Sequence, residues 1–99
     1  NDLATIDRMI DVNDAIIRQV EYYFSDANIE KDDFLKEKMD EQGFVDLHLV
    51  ASFNRMKKLI NSEKHLQQVI EDSNVTRLTT RKTVDGTIKI GVIREKVST

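Results

Sequence analysis

A chain of 99 residues amounts to about one small domain, large enough for a single core and too small for separate cofactor and substrate domains. With 39% apolar and 33% charged residues and no proline, it belongs with folded, helix-rich chains; no cysteine excludes a disulfide framework, zinc ribbons and thiol nucleophiles, and leans toward an intracellular site. The net charge of −3 hides a split: residues 1–50 carry 13 acids and 5 bases, residues 51–99 carry 5 acids and 10 bases, so a basic end follows an acidic one. No apolar run reaches membrane-spanning length. No basic-plus-apolar signal-peptide pattern is seen, and the start at Asn1 suggests a piece of a longer chain.

In chain order, Leu3, Ile6 and Ile10 have the spacing of a short amphipathic helix, an N-terminal extension over 1–12 ahead of a domain over 13–99. Asn13 or Asp14 can cap a stronger helix, Ala15 to about Ser25, whose stripe is Ile17, Val20 and Phe24. Asp26 to Asp32 reads as a break or single turn. Asp32 then starts a helix to about Glu41 that buries Phe34, Leu35 and Met39, with Gly43 as its left-handed cap. Phe44 and Val45 make a very short strand, and Asp46 caps a helix through Leu47, Leu49, Val50 and Phe53. Asn54 or Ser52 divides it from a piece striped by Met56, Leu59 and Ile60, after which Ser62 and His65 cap Glu63 to Asp72, burying Leu66, Val69 and Ile70. Val75 to Thr80 and Thr87 to Ile93 are β-branched strands joined through Asp85-Gly86, a hairpin signal because glycine tolerates the positive φ of the turn. Helices, a small strand, helices, then a basic hairpin is the α+β order of a winged helix-turn-helix.

All six aromatic residues lie between Tyr22 and Phe53. Tyr22, Tyr23 and Phe24 are consecutive, so they fan around a helix and cannot all enter one core. Phe24 takes the core place. Tyr22 and Tyr23 lie one turn beyond Gln19, two rings beside one amide, an arrangement that can grip an unstacked base by its face and its polar edge. Half-buried core edges are the plainer account of a tyrosine pair alone. Asp26, Asp32 and Asp33 lack metal-loop spacing or a His partner and read as caps, while His48 and His65 stand alone as surface or capping residues. No nucleophile triad or phosphate-cradling glycine loop is present, so neither an enzyme nor a cofactor is expected. Arg55, Lys57, Lys58 and the hairpin bases Arg77, Arg81, Lys82, Lys89, Arg94 and Lys96 suit phosphate contacts or a solvated face.

Taken together, Gln19-x-x-Tyr22-Tyr23-Phe24-Ser25-Asp26-x-Asn28-x-x-x-Asp32-x-Phe34-Leu35, then Gly43-Phe44-Val45 and Ser52-Phe53-Asn54-Arg55-Met56, closely resembles the La motif of La and La-related RNA-binding proteins. The resemblance covers residues 14 to about 95. It implies a winged helix with extra helices inserted and a small antiparallel sheet, binding the 3′ end of RNA in a cleft beside those helices. It implies that Gln19 meets a base edge, Tyr23 and Phe34 stack on bases near the terminus, and Asp32 accepts from ribose hydroxyls. Tyr22 and Phe53 complete the lining, Asn28 holds the turn between helices, and Asn54 and Arg55 join the RNA-binding set.

The Phe53-Asn54-Arg55-Met56 stretch is more like genuine La, which implies the oligo(U) tail of RNA polymerase III transcripts as ligand, a nuclear and partly cytoplasmic location, a monomer, no membrane partner, and an RRM downstream. Two departures keep a poly(A) preference open: Glu30-Lys31 stands where many genuine La proteins have Pro-Arg, and the tail Ile90 to Thr99 lacks an arginine-rich, proline-containing ending. Two other classes remain. A DNA-binding winged helix would use Ser62 to Asp72, where Glu63, Glu71 and Asp72 oppose Lys64 alone, and a protein-interaction module would show an exposed apolar patch.

Overall fold

The structure, a computed structural model, describes residues 2–73 and 76–93, with side-chain surroundings from residue 12 onward. Helix α1 runs unbroken from Asp2 to Tyr23, where two separate helices are expected from the sequence. No glycine or proline interrupts it, and Asn13 and Asp14 in a helix interior cost under about 1 kcal/mol each against alanine. Asp14 offsets part of that by pairing with Arg18 one turn on, at 2.8 Å. The side chains of Leu3, Ile6 and Ile10 lie outside the described set. The expected stripe is buried, and Ile16 joins Ile17, Val20 and Phe24 in the core.

The segment read as a turn is helical: α2 spans Asp26–Lys31. Ser25 makes it so, since its Oγ accepts the Asn28 N–H at 3.3 Å and donates to the Tyr22 carbonyl at 2.8 Å, closing α1 and opening α2 with one hydroxyl. Helix α3, Asp33–Lys38, begins at the Asp32 cap as expected, with Asp32 Oδ1 accepting from Leu35 N–H at 3.0 Å. It stops at Lys38 instead of near Glu41. The cause is Asp40, whose Oδ1 takes the N–H groups of Gln42 and Phe44, both at 2.9 Å, and turns the chain out of the helix. Gly43 has the expected left-handed φ of 82° but sits in this turn, not on the helix end. Leu35 is fully buried and Met39 packs against the core, whereas Phe34 is 50% exposed. The expectation that Phe34 is buried is therefore wrong: it neighbours Leu35 in α3, and only Leu35 faces inward.

Strand β1, Val45–Asp46, leads into α4, Leu47–Ala51, then α5, Asn54–Leu59, and α6, Glu63–Asp72. The division between α4 and α5 falls at Ser52, one of the two expected breaks, whereas Phe53, expected inside α4, stands just before α5 and makes no side-chain cap bond. Ser62 Oγ accepts from His65 N–H, while His65 Nδ1 accepts from Asn61 N–H, both at 3.0 Å, a reciprocal cap. Leu66, Val69 and Ile70 are buried as read. The hairpin strands are β2, Leu78–Lys82, and β3, Ile88–Val92; Val75, Arg94 and Lys96 lie outside the described residues. Gly86, with φ 91°, gives its N–H to Thr83 O, and Thr83 N–H meets Thr87 O at 2.8 Å, a tight loop of the anticipated kind.

The sheet is antiparallel in the order β1-β3-β2, with Ile90 opposite both Val45 and Thr80. Helices α1, α4 and α6 with this sheet form a winged helix, and α2, α3 and α5 are the added helices. Val45, Val50, Met56, Leu66 and Ile90 meet Ile16 and Val20 in one core without exposed surface; fully burying each large side chain contributes about 1.5–3 kcal/mol. No described helix is long and apolar enough to cross a membrane.

Candidate nucleic-acid interface

The aromatic group is built at the corner where α1 ends. Inside α1, Gln19 and Tyr23 are one turn apart and share a face. The Tyr23 ring meets Phe53 edge-on, with centroids 5.0 Å apart and planes at 73°, a favourable geometry for aromatic pairs. Tyr22 stands beside it at 6.4 Å, 53% exposed. Burial pushes the Tyr23 phenol up, opposed by the Gln19 amide and the positive charge of Arg55. Four expected residues, Gln19, Tyr23, Phe53 and Arg55, are thus neighbours although the chain separates the first from the last by more than thirty positions.

The corner itself is held by Asn28. Its side chain is nearly buried and its Nδ2 donates to the Tyr23 carbonyl at 2.9 Å, so the amide fastens α2 to the end of α1 and fixes where the two tyrosines point. Ser25, expected only as the end of the preceding helix, is the second fastener; a serine followed at once by the acid Asp26 in the first turn is the local start signal that marks it. Beyond α2, Asp32 spends one carboxylate oxygen on the α3 cap. Among the described residues its other oxygen has no partner, which leaves it able to accept further hydrogen bonds. Phe34 offers a half-exposed ring with the Lys38 ammonium 5.5 Å from its centroid. No ring contact joins Phe34 to Tyr23 or Phe53 among the described residues, so the site is an open surface with two aromatic stations. Asn54 and Arg55 are exposed at the start of α5.

The basic hairpin is built differently. Asp40 Oδ2 binds Arg81 at 2.7 Å and Lys89 at 3.1 Å, and the Arg81 guanidinium lies 4.5 Å from the Phe44 ring centroid. Partial burial alone would raise the Asp40 carboxyl; the Phe44 N–H, Lys89 and the Gln42 N–H together bring it down to about 2. Two bases that the sequence offers to phosphates are therefore committed within the fold. At the turn, Asp85 accepts from Thr83 and Thr87, which bring its carboxyl to about 2. His48 is exposed and its Nδ1 meets Glu63 at 2.5 Å. Among the described residues no three His, Cys, Asp or Glu side chains are grouped as a metal site.

A family model for the La domain matches residues 16–75. La-related protein 7 of Mus musculus is 42% identical over 65 residues, which is 64% of this chain and 11% of that protein. The La protein homolog of Aedes albopictus is 35% identical over 82 residues, 82% of this chain and 19% of its own length. Among solved structures, the La autoantigen N-terminal domain superposes with a TM-score of 0.65 at 31% identity, covering 87% of this chain and 89% of that one. The chain thus spans only 11% and 19% of those two curated relatives.

Proposed function

This chain belongs to the La domain family, the RNA-binding domain of La and La-related proteins, and we propose that its aromatic corner holds the 3′-hydroxyl end of an RNA with a preference for oligo(U). The observation that carries the reading is the grouping of Gln19, Tyr23, Phe53 and Arg55 beside the half-exposed Tyr22, together with a second exposed ring, Phe34, two positions along the chain from a carboxylate with one open oxygen. Rings supply sequence-tolerant stacking. The Gln19 amide, a donor and an acceptor at once, supplies base preference. Asp32 supplies end preference, because an ionised carboxylate accepts from the hydroxyls of a free terminus and repels a terminal phosphate carrying roughly −1.5 to −2 charges.

The duplex-DNA alternative would place α6 in a major groove. That helix holds Glu63, Glu71 and Asp72 against Lys64, and a phosphate backbone disfavours such a face. In the full-length protein we place the domain beside a downstream RRM, acting as a monomer on RNA ends in the nucleus and partly in the cytoplasm.

The test compares oligo(U) ending in a 3′-hydroxyl with the same RNA ending in a 3′-phosphate, for the parent chain and for Asp32→Asn, which keeps size and capping ability. The expected result is a preference for the hydroxyl of about tenfold or more in the parent, given charge-assisted hydrogen bonds of about 1.5–3 kcal/mol, and its loss in the variant. Equal affinities in the parent would falsify end recognition.

A further inference from the structure

The bases of this chain differ in availability once their neighbours are considered. Arg18 is paired with Asp14, Arg81 and Lys89 with Asp40, and Lys38 lies beside the Phe34 ring. Lys31 and Lys36 stand on helices that also carry Asp26, Glu30, Asp33 and Glu37, so the local charge there is balanced. Helix α5 is different. Its sequence, Asn-Arg-Met-Lys-Lys-Leu, has three cations and no acid. Arg55, Lys57 and Lys58 are all exposed, and among the described residues none has a carboxylate partner. Glu63 lines the same cleft as Lys57, but its carboxylate is bound by His48.

The place of these cations matters as much as their number. Helix α5 starts at the residue after Phe53, whose ring touches Tyr23, and it packs along α1. Arg55 and Lys58 are one turn apart on a common face, and Lys57 lies a further step of about 100° round the helix from Lys58, lining the cleft with His48 and Glu63. Six residues of helix are about 9 Å long, enough to flank about two phosphates.

We propose that α5 is the phosphate track of this domain: RNA whose end lies in the aromatic corner runs back past Arg55 to Lys57 and Lys58, toward the cleft between α4 and α6. The hairpin, with Arg81 and Lys89 committed to Asp40 and only Arg77 and Lys82 left exposed without a carboxylate partner among the described residues, carries a smaller share of the backbone charge. This inference rests on the end-binding reading and adds to it the direction in which the RNA leaves. Neutralising a phosphate of single-stranded RNA releases counterions, so each such contact contributes about 0.7 to the slope of log affinity against log salt.

The test titrates the chain with 3′-hydroxyl oligo(U) of about four and about ten nucleotides across a salt series. Proteins compared are the parent, Lys57→Gln/Lys58→Gln, a hairpin control Arg77→Gln/Lys82→Gln, and Phe34→Ala. For the longer RNA, the α5 pair is expected to lose about 1.4 of the slope and about tenfold in affinity at low salt. For the shorter RNA it stays within about twofold of the parent, since few phosphates reach the lysines. A hairpin control that loses more slope than the α5 pair, or an α5 pair that weakens both lengths equally, overturns the track. Normal binding by Phe34→Ala, or a parent chain that binds neither RNA, instead overturns the end-binding reading and the track with it.

Discussion

The aromatic corner and the basic hairpin carry the two kinds of residue expected to meet RNA, and the fold treats them in opposite ways. At the corner, backbone carbonyls are satisfied by Ser25 and Asn28, while Tyr22 and, on α3, Phe34 stay half exposed and Asp32 keeps an open oxygen. In the hairpin, Arg81 and Lys89 close on Asp40, and Phe44 fills the space above Gly91. The contrast teaches that a count of charges in a sequence is not a count of charges available to a ligand. A cation already facing a carboxylate has little left to offer a phosphate, because its counterion is part of the protein.

The largest effect that would break this contrast is on binding through the rings. Tyr23→Ala and Phe34→Ala are each expected to weaken RNA binding by about 1–3 kcal/mol, measured by fluorescence anisotropy. Phe34→Ala is the cleaner variant, since that ring is half exposed and thermal stability should barely move. An unchanged affinity for Tyr23→Ala would remove the corner from the site, and one for Phe34→Ala would overturn the end-binding reading.

Asp40→Ala reverses the readouts. It removes the acceptor of two backbone N–H groups and of two cations, and is expected to cost about 2 kcal/mol of stability while leaving RNA affinity equal or higher as Arg81 and Lys89 are freed. A stable variant would show that the clamp is not structural. The pH dependence follows the same carboxyl. Its folded pKa of about 2 lies below the unfolded value of about 3.9, so its contribution is full above about pH 4 and is lost as pH falls toward 2. Asp40→Asn should flatten that part of the acid unfolding curve.

Gly91→Ala tests the hairpin's seat. A Cβ there would stand 2.5 Å from the Phe44 ring, so Phe44 must shift. Overpacking of this kind costs about 1–3 kcal/mol, read as a lower melting temperature. A melting temperature equal to the parent's would mean that Phe44 yields freely. The smallest effect is expected for Gln19→Ala, which should compress the preference for oligo(U) over oligo(A) by about 1 kcal/mol with stability nearly unchanged. An unaltered ratio would move base reading elsewhere.

Much of the local structure was legible because its causes are local. Ser62 before Glu63–Asp72, Asp32 before α3 and Asp85-Gly86 in the hairpin satisfy nearby backbone groups, and such patterns need only a few consecutive residues to be read. The misreadings have local causes too. The expected α1 break at Asn13 is absent because no breaker stands there, and α2 is helical where a turn is expected because Ser25 both ends one helix and caps the next.

The residue types proposed to hold an RNA end, their order, and the caps that start the helices are determined by the sequence, since each follows from spacing along the chain. Only the tertiary structure decided that Tyr23 touches Phe53, that Phe34 faces outward beside buried Leu35, and that Asp40 takes Arg81 and Lys89 from the hairpin. Those outcomes depend on how helices pack on a shared core and on the sheet register. A carboxylate will pair with whichever cation that packing brings within reach, and no distance along the chain encodes it.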